Sequence, residues 1–240
     1  MDKLKELTKI SIFAALVFVT TMIIRIPIAA TGGYFNLGDS VIFTAALLYG
    51  PLVGGLAGGI GAAIADAVGY PIFAPGTLII KSIEGILVGY VGLKIRPRTG
   101  SAAFRKFVSL LLGVGLGIAT YYIGTNNMGV FGNMLLDQIL WAAVAIFLGA
   151  FIIAVGFLPQ TETSGQTIAI ALGGTAMVLG YFLYESLLAV LLPGLEIFAL
   201  SEIPVNIGQM LVGMAIALPA LRAVRRALPS EQRGQTKSNV

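Results

Sequence analysis

Apolar runs about as long as a lipid bilayer is thick recur along this chain of 240 residues. A helix needs roughly 20 such residues to cross the hydrocarbon core. Charged residues make up only 11% of the sequence, against about 25% in an ordinary soluble domain. The sequence therefore predicts an all-α membrane protein, a polytopic bundle of transmembrane helices. Six runs can span by themselves, and they lie at about 8 to 28, 77 to 95, 107 to 125, 134 to 157, 167 to 191 and 204 to 223.

The remaining apolar run, residues 38 to 69, contains Gly50-Pro51 near its centre. Proline cannot donate a backbone hydrogen bond and glycine relaxes a turn, so the run can form one long helix or two short ones. Two helices keep the basic clusters at 94 to 106 and 222 to 237 on the side of the N-terminus. One helix puts both clusters on the opposite side. The positive-inside rule favours two helices, which gives eight predicted spans.

This topology places both chain termini in the cytoplasm and the protein in the cell membrane. Of the 15 Lys and Arg residues, only Arg25 and Lys81 then fall toward the outside. The first apolar run has no small-residue cleavage site, which indicates a retained first helix. We expect residues 1–228 to form a single transmembrane domain and the polar tail 229–240 to be disordered.

Cysteine and histidine are both absent, which excludes disulfides, thiolate nucleophiles, Cys/His metal sites and imidazole catalysis. The basic residues form no patch with interleaved aromatic side chains, so nucleic acid is not an expected partner. No nucleotide-binding motif of the GxxxxGK[ST] kind is present. We therefore expect a non-enzymatic protein without cofactor or metal. If transport is uphill, ATP must be hydrolysed by a partner.

Charged side chains interrupt the apolar sequence between Asn36 and Gly92. A charge at bilayer depth costs about 2.5 to 3.5 kcal/mol, so several of them usually line a polar cavity or path. Lys81 and Glu84 are three residues apart and share a helix face. They can form a structural ion pair, or either of them can contact a ligand. The interrupting charges are Asp39, Asp66, Lys81 and Glu84.

Two further pairs of side chains suit a planar, polar ligand. Asn206 and Gln209 follow Pro204, which we predict opens the last helix at the outer face. Their amides can donate to and accept from a heterocycle, or bond to a neighbouring helix. Tyr181 and Glu185 are four residues apart, so a ring and a carboxylate lie on one face. Tyrosines near a membrane surface are often only interfacial anchors.

The outer loop from Ala30 to Gly38 combines paired glycines with aromatic residues, which is typical of a movable lid. Tyr34 and Phe35 are its candidate lid residues, and Asn36 is a candidate ligand contact. Asp39 can cap the following helix with its side-chain oxygen. Asp66, near the outer end of the third helix, can either fix the next loop or contact the substrate. Arg25 can extend to the interface from the end of helix one.

Five sequence segments together resemble the substrate-binding S component of energy-coupling factor (ECF) vitamin transporters, most of all the riboflavin-type branch. The resemblance implies a six-helix bundle that binds a water-soluble vitamin near its outer face. It also implies a transmembrane T component and two cytoplasmic ATPases as partners. An additional apolar pair, about 107–157, departs from the family pattern. The segments are Asn36 to Ser40 with Leu48 to Pro51, the Gly-rich helix ending at Asp66, Lys81 to Gly85, Gly180 to Glu185, and Pro204 to Gln209 with Gly213.

In this family helix one is thought to dock on the T component, which makes Ser11 and Ala15 the candidate docking residues here. The expected function is the binding subunit of an ATP-driven importer, with riboflavin as the first choice of vitamin. Hydroxymethylpyrimidine, pyridoxine and cobalamin-like ligands remain alternatives. A stand-alone secondary transporter is another, with Asp66, Glu84 or Glu185 as its coupling carboxylate. A membrane enzyme is disfavoured, because the carboxylates have no His, Cys or metal-ligand motif beside them.

Overall fold

The computed structural model describes residues 3–28, 33–94, 102–127, 133–157, 162–192 and 199–227. Helices dominate these ranges, which confirms the predicted all-α, polytopic membrane fold. Residues 30–32 of the predicted lid and the tail 229–240 lie outside them. The elements are α1 (Lys3–Ile23), β1 (Arg25–Pro27), β2 (Tyr34–Asn36), α2 (Gly38–Tyr49), α3 (Pro51–Gly69), α4 (Ala74–Lys94), α5 (Ala102–Asn127), α6 (Met134–Phe157), α7 (Glu162–Leu191) and α8 (Ala199–Ala227).

Among the described helices, six are long and apolar enough to cross a membrane, namely α1, α3, α4, α6, α7 and α8. Helix α2 has 12 residues, or about 18 Å at 1.5 Å per residue, against a hydrocarbon core of about 30 Å. The first arm of the predicted helical hairpin is therefore shorter than a full span. Helix α5 includes the predicted apolar run from 107 to 125.

The chain divides into two compact units. Unit 1 comprises residues 1–96 and 165–240, and unit 2 comprises residues 97–164. Unit 1 contains α1 to α4, the strand pair, nearly all of α7, and α8, which matches the predicted six-helix core. Unit 2 contains α5 and α6, the predicted extra pair. That residues 1–228 form a single transmembrane domain stays a prediction.

The helix directions give unit 1 two chemically different ends. We call one the hairpin end; it carries the strand pair, the C-terminus of α3 and the N-termini of α4 and α8. The other, which we call the basic end, carries the N-terminus of α1 and the turn between α2 and α3. There the Lys9 ammonium lies 4.7 Å from the Tyr49 ring centroid. Arg225, near the end of α8, donates from Nη2 to the Leu47 carbonyl oxygen at 3.2 Å.

The turn between α2 and α3 lies at Gly50-Pro51, as the sequence predicts. Gly50 has a φ of 89°, a left-handed value that glycine adopts without a Cβ clash. Its N–H donates to the Ala46 carbonyl oxygen at 2.9 Å and closes the last turn of α2. Pro51 is the first residue of α3, where its missing N–H has no helical partner to lose.

The glycines of α3 bring three helices close to it. A β-carbon on Gly54 would lie 2.6 Å from the Ala46 Cα of α2, and one on Gly55 would lie 3.0 Å from the Ser82 carbonyl oxygen of α4. A β-carbon on Gly61 would overlap the backbone of α1. The small residues of α3 therefore allow close packing of helices inside unit 1.

Unit 2 uses the same device. A β-carbon on Gly113 of α5 would lie 2.6 Å from the Gly149 carbonyl oxygen of α6. A β-carbon on Gly149 would lie 2.8 Å from the Gly113 carbonyl oxygen. The Trp141 ring lies against Gly124. These glycines let α5 and α6 pack with their backbones close together.

The start of the last helix differs from the prediction. Helix α8 begins at Ala199, so Pro204 lies inside it. Proline inside a helix removes one backbone hydrogen bond, which is why the pattern predicted a start at Pro204. The added turn belongs to the packed interior, because Ala199 and Glu202 in it are only 8% and 4% exposed. Asn206 and Gln209 consequently lie two to three turns inside the helix.

Candidate functional site

A small cavity lies at the hairpin end of unit 1. Its volume is about 40 Å³, enough for roughly three water molecules. The hairpin, α3, the turn before α4, α7 and α8 all contribute to its wall. The lining residues are Gly33, Tyr34, Asn36, Asp66, Phe73, Tyr181, Glu185, Glu202, Asn206 and Gln209.

The predicted lid loop, Ala30 to Gly38, contains strand β2, which forms with the preceding β1 a β-hairpin that the sequence did not indicate. Strands β1 and β2 pair antiparallel, with Arg25 opposite Asn36 and Pro27 opposite Tyr34. Alternate side chains of a strand face the same way, and Tyr34 and Asn36 of β2 both line the cavity. Phe35 lies between them, half-buried and outside the lining.

Arg25 fixes the hairpin to α3, so the prediction that it only extends to the interface is wrong. Its Nη2 donates to the Ala65 carbonyl oxygen at 3.0 Å. The guanidinium carbon lies 4.5 Å from the Tyr34 ring centroid and 5.2 Å from that of Tyr70. Those two rings are stacked, with centroids 4.8 Å apart. Cation–π attraction of the guanidinium to both rings stabilises this arrangement and holds β2 against the end of α3.

Asp66 accepts hydrogen bonds from hydroxyl groups on two sides and is only 3% exposed. Tyr34 donates to Oδ1, and Thr77 of α4 donates to Oδ2 at 2.5 Å. The Tyr181 hydroxyl lies 3.0 Å from Thr77 Oγ1. Burial, together with the Asp66 charge, raises the pKa of Tyr34 above its ordinary value. Tyr34 therefore remains a protonated donor at physiological pH, and the hairpin is hydrogen-bonded to α3.

Gln209 connects the hairpin to α2. Asn36 donates to Gln209 Oε1 from its backbone N at 3.1 Å and from Nδ2 at 2.9 Å. Gln209 Nε2 donates in turn to Asp39 Oδ2 at 3.0 Å. The predicted cap role of Asp39 is wrong, since the cap residue of α2 is Leu37 and has no side-chain cap hydrogen bond. Asn36 Oδ1 instead accepts the Gly38 N–H at 2.8 Å.

Asp39 is one member of a buried charge triad with Lys81 and Glu84. Lys81 Nζ forms an ion pair with Asp39 Oδ1 and a second with Glu84 Oε2 at 3.0 Å. All three residues are at most 2% exposed. The structural ion pair predicted from the i, i+3 spacing is confirmed. Neither Lys81 nor Glu84 lines the cavity, and a ligand contact by either stays a prediction.

Glu185 and Glu202 supply two more buried carboxylates, each 4% exposed, to the cavity wall. Within the described residues, Glu185 Oε2 has no hydrogen-bond partner. The Glu202 carboxylate lies against Gly33 so closely that a β-carbon there would overlap it. Glycine at position 33 is what allows the hairpin to approach α8.

The cavity brings together most of the residues predicted to bind substrate. Their roles in binding stay predictions, but their convergence from four parts of the chain, namely β2, α3, α7 and α8, is a structural fact. Phe35, Asp39, Lys81 and Glu84 lie outside the wall. The predicted residues that line it are Tyr34, Asn36, Asp66, Tyr181, Glu185, Asn206 and Gln209.

Sequence reasoning missed Glu202, Phe73 and Thr77. A usable signal existed for Glu202, because Glu202, Asn206 and Gln209 are spaced i, i+4, i+7 and share one helix face. The prediction that Pro204 opened the helix removed Glu202 from that face. Thr77, Lys81 and Glu84 have the same i, i+4, i+7 spacing on α4, so the sequence offered a signal for Thr77 as well. Phe73 carries no such signal, because it lies in a turn.

The predicted docking residues Ser11 and Ala15 are exposed on α1. The buried residues of that helix are Ile10, Val17 and Thr21. Docking through Ser11 and Ala15 stays a prediction.

Comparison with known proteins agrees with this architecture. A curated protein of Pyrococcus woesei, described as "Uncharacterized protein in gap 3'region", is 46% identical over 108 residues, which is 45% of this chain and 67% of that protein. The family model "ECF-type riboflavin transporter, S component" matches residues 1–128. The match includes the hairpin, the charge triad and Asp66. This chain therefore belongs to the ECF-type riboflavin transporter S component family, a family of transporter subunits.

Proposed function

We propose that this chain captures riboflavin, or a related flavin, from outside the cell for an ATP-driven ECF importer. The observation that carries the proposal is the position of the polar cavity at the hairpin end of unit 1, opposite the basic end. Lys9 and Arg225 both lie against the end of α2 at that opposite end. Basic residues favour the cytoplasmic side of a membrane. The cavity then faces outward, and both termini lie in the cytoplasm of the cell membrane.

The wall chemistry suits a planar vitamin with polar edges. The Tyr181 ring offers a stacking surface, and the Asn206 amide can both donate and accept. Gln209 already bonds to Asn36 and Asp39, so a ligand that uses Gln209 must take the place of one of them. Each side chain thus has a separate part in recognition.

Entry of a flavin requires the hairpin to move. A cavity of about 40 Å³ holds a few waters but no tricyclic ring. Between described residues, three polar attachments hold the hairpin to α3 and α8, and each of them can reform after it moves. They are Arg25 on Ala65, Tyr34 on Asp66, and Asn36 on Gln209. The hairpin is therefore the lid of the proposed mechanism.

Energy comes from partner subunits in this proposal. A T component docks on the exposed face of α1 through Ser11 and Ala15, and two cytoplasmic ATPases bind and hydrolyse ATP. The chain itself has no enzymatic step and no cofactor; the vitamin is its transported ligand. After closure of the lid, the bundle topples against the T component and the cavity reaches the cytoplasm.

The ligand is tested by mass spectrometry of small molecules that copurify with the full chain, followed by titration of riboflavin fluorescence. We expect Asn206→Ala to weaken flavin binding at least about tenfold, the effect of losing one or two hydrogen bonds. The matched control is Asn126→Ala, because Asn126 is exposed on α5, outside the cavity wall. Full flavin affinity in both Asn206→Ala and Gln209→Ala would refute the proposed site.

The orientation is tested by cysteine labelling, for which this cysteine-free chain is a clean background. Ile26→Cys on the hairpin, where the native side chain is 53% exposed, should react with a membrane-impermeant maleimide in intact cells. Lys94→Cys at the end of α4 should react only after permeabilisation. The reverse pattern would overturn the outward-facing cavity.

Uptake assays separate this proposal from an ion-coupled transporter. Proteoliposomes with the chain alone should not accumulate flavin under a proton or sodium gradient. Accumulation driven by such a gradient would contradict the ECF mechanism.

A further inference from the structure

The part of the cavity wall formed by α7 and α8 is acidic, and none of the described residues that line the cavity is basic. Glu185 and Glu202 both line the cavity at 4% exposure, which leaves their charge little contact with water. Asp66 adds a third carboxylate. An ionised carboxylate carries negative charge and accepts hydrogen bonds, so this wall presents mainly acceptors to whatever enters.

The nearest cations are committed elsewhere. The Lys81 ammonium lies between Asp39 and Glu84 in the charge triad. The Arg25 guanidinium donates to Ala65 and lies over the Tyr34 ring. Neither residue belongs to the lining, so an anionic ligand would enter without a direct cationic partner.

The acceptors of the wall are not all in use. Both oxygens of Asp66 already accept hydroxyl hydrogen bonds, from Tyr34 and Thr77. Glu185 differs, because its buried Oε2 has no hydrogen-bond partner among the described residues. A buried acceptor without a partner carries a desolvation cost that a donor on the ligand removes.

We propose that Glu185 and Glu202 form a specificity wall that binds hydroxyl or N–H donors of an unphosphorylated vitamin and excludes its phosphate ester. The inference rests on the proposed function and deepens it by naming the form of the ligand. A phosphate group brings close to two negative charges at neutral pH and mainly acceptor oxygens. Like charges a few ångströms apart in a poorly solvated site repel strongly, so the negative charge carried by the Glu185 and Glu202 pair disfavours a phosphate beside it.

The test compares two ligands that differ by one phosphate. The full chain in nanodiscs is titrated with riboflavin and with flavin mononucleotide, and the readout is the ratio of their dissociation constants. We expect the unaltered chain to bind riboflavin at least about 100-fold more tightly. Glu185→Gln combined with Glu202→Gln removes the negative charge of the pair at nearly constant shape, and should reduce that ratio at least about tenfold by strengthening mononucleotide binding.

Matched controls separate charge at the wall from charge in general. Glu6→Gln removes one carboxylate near the start of α1 and should leave the ratio unchanged. Each variant is checked by helicity and by its elution as a single species. If the double variant does not fold, Glu185→Gln alone should reduce the ratio in the same direction. The inference is overturned if the Glu185→Gln variant and the double variant both fold correctly and keep the ratio of the unaltered chain.

Failure of the flavin assignment gives a different result. If neither flavin binds to the unaltered chain, riboflavin is not its ligand, and the same variants are titrated with pyridoxine, thiamine and their monophosphates. A preference for the unphosphorylated member that the double variant weakens would support the wall without the flavin. Absence of binding to all three pairs would overturn both proposals.

Discussion

Replacement of Lys81 by methionine tests whether the buried charge triad holds unit 1 together. Methionine keeps the length and apolar stem of lysine but removes the ammonium. Asp39 and Glu84 are both 0% exposed, so each would lose its ion-pair partner without gaining water. Breaking a buried ion pair from one side costs about 3 to 5 kcal/mol. For a chain of this size, a loss of 1 kcal/mol in the free energy of unfolding lowers the midpoint of thermal unfolding by about 2 to 4 °C. The midpoint of the Lys81→Met protein should therefore fall by roughly 10 °C.

Thermal unfolding of the purified chain, followed by circular dichroism at 222 nm, measures this shift. The fluorescence of Trp141 does not suit the purpose, because that residue belongs to unit 2. Lys94→Met is the matched control, since Lys94 is exposed at the end of the same helix. Adding Glu84→Gln to Lys81→Met restores the original net charge and should recover part of the loss. A Lys81→Met protein that unfolds within about 2 °C of the original would refute the reasoning.

Two further predictions concern backbone geometry and the hairpin. Gly50→Ala places a Cβ at a φ of 89° and 3.3 Å from Leu93 Cδ1, so the midpoint of thermal unfolding should fall by about 2 to 8 °C. The control is Gly208→Ala, whose Cβ meets open space and should not lower the midpoint comparably. Equal midpoints in the two variants would contradict a strained turn at Gly50. Arg25→Lys keeps the charge but loses the planar group over Tyr34, so amide hydrogen exchange at residues 33–36 should accelerate about tenfold. Unchanged exchange would show that the ring stack does not hold the hairpin.

The helices could be predicted because their signals are local. Run length and the positive-inside rule gave the order of the spans and the turn at Gly50. The i, i+3 spacing of Lys81 and Glu84 gave their ion pair. Each of these depends on residues close together in sequence, where helix geometry fixes which side chains meet.

The partners that the sequence did not reveal are distant. Lys81 pairs with Asp39, 42 residues earlier, and Gln209 bonds to Asp39 across 170 residues. No periodicity connects such positions, because the packing of α2 against α4 and α8 brings them together. Arg25 is a similar case: a cation at a helix end usually extends to water, but here two aromatic rings and a carbonyl oxygen lie within its reach.

In the proposed mechanism, the closed lid and the ligand compete for hydrogen bonds to the same side chain, Gln209. In the closed lid, Gln209 Oε1 accepts from both the backbone N and Nδ2 of Asn36. When the hairpin lifts, this buried oxygen loses both donors, a cost of about 1 to 3 kcal/mol unless another donor arrives. An N–H or hydroxyl group of a ligand is such a donor. The Gln209 amide that holds the lid closed can therefore also stabilise a bound ligand. Gln209 Nε2 meanwhile keeps its bond to Asp39, which the ion pair with Lys81 holds in place. The charge triad thus needs no contact with the ligand to matter for capture, because it fixes the orientation of the amide that the lid and the ligand share.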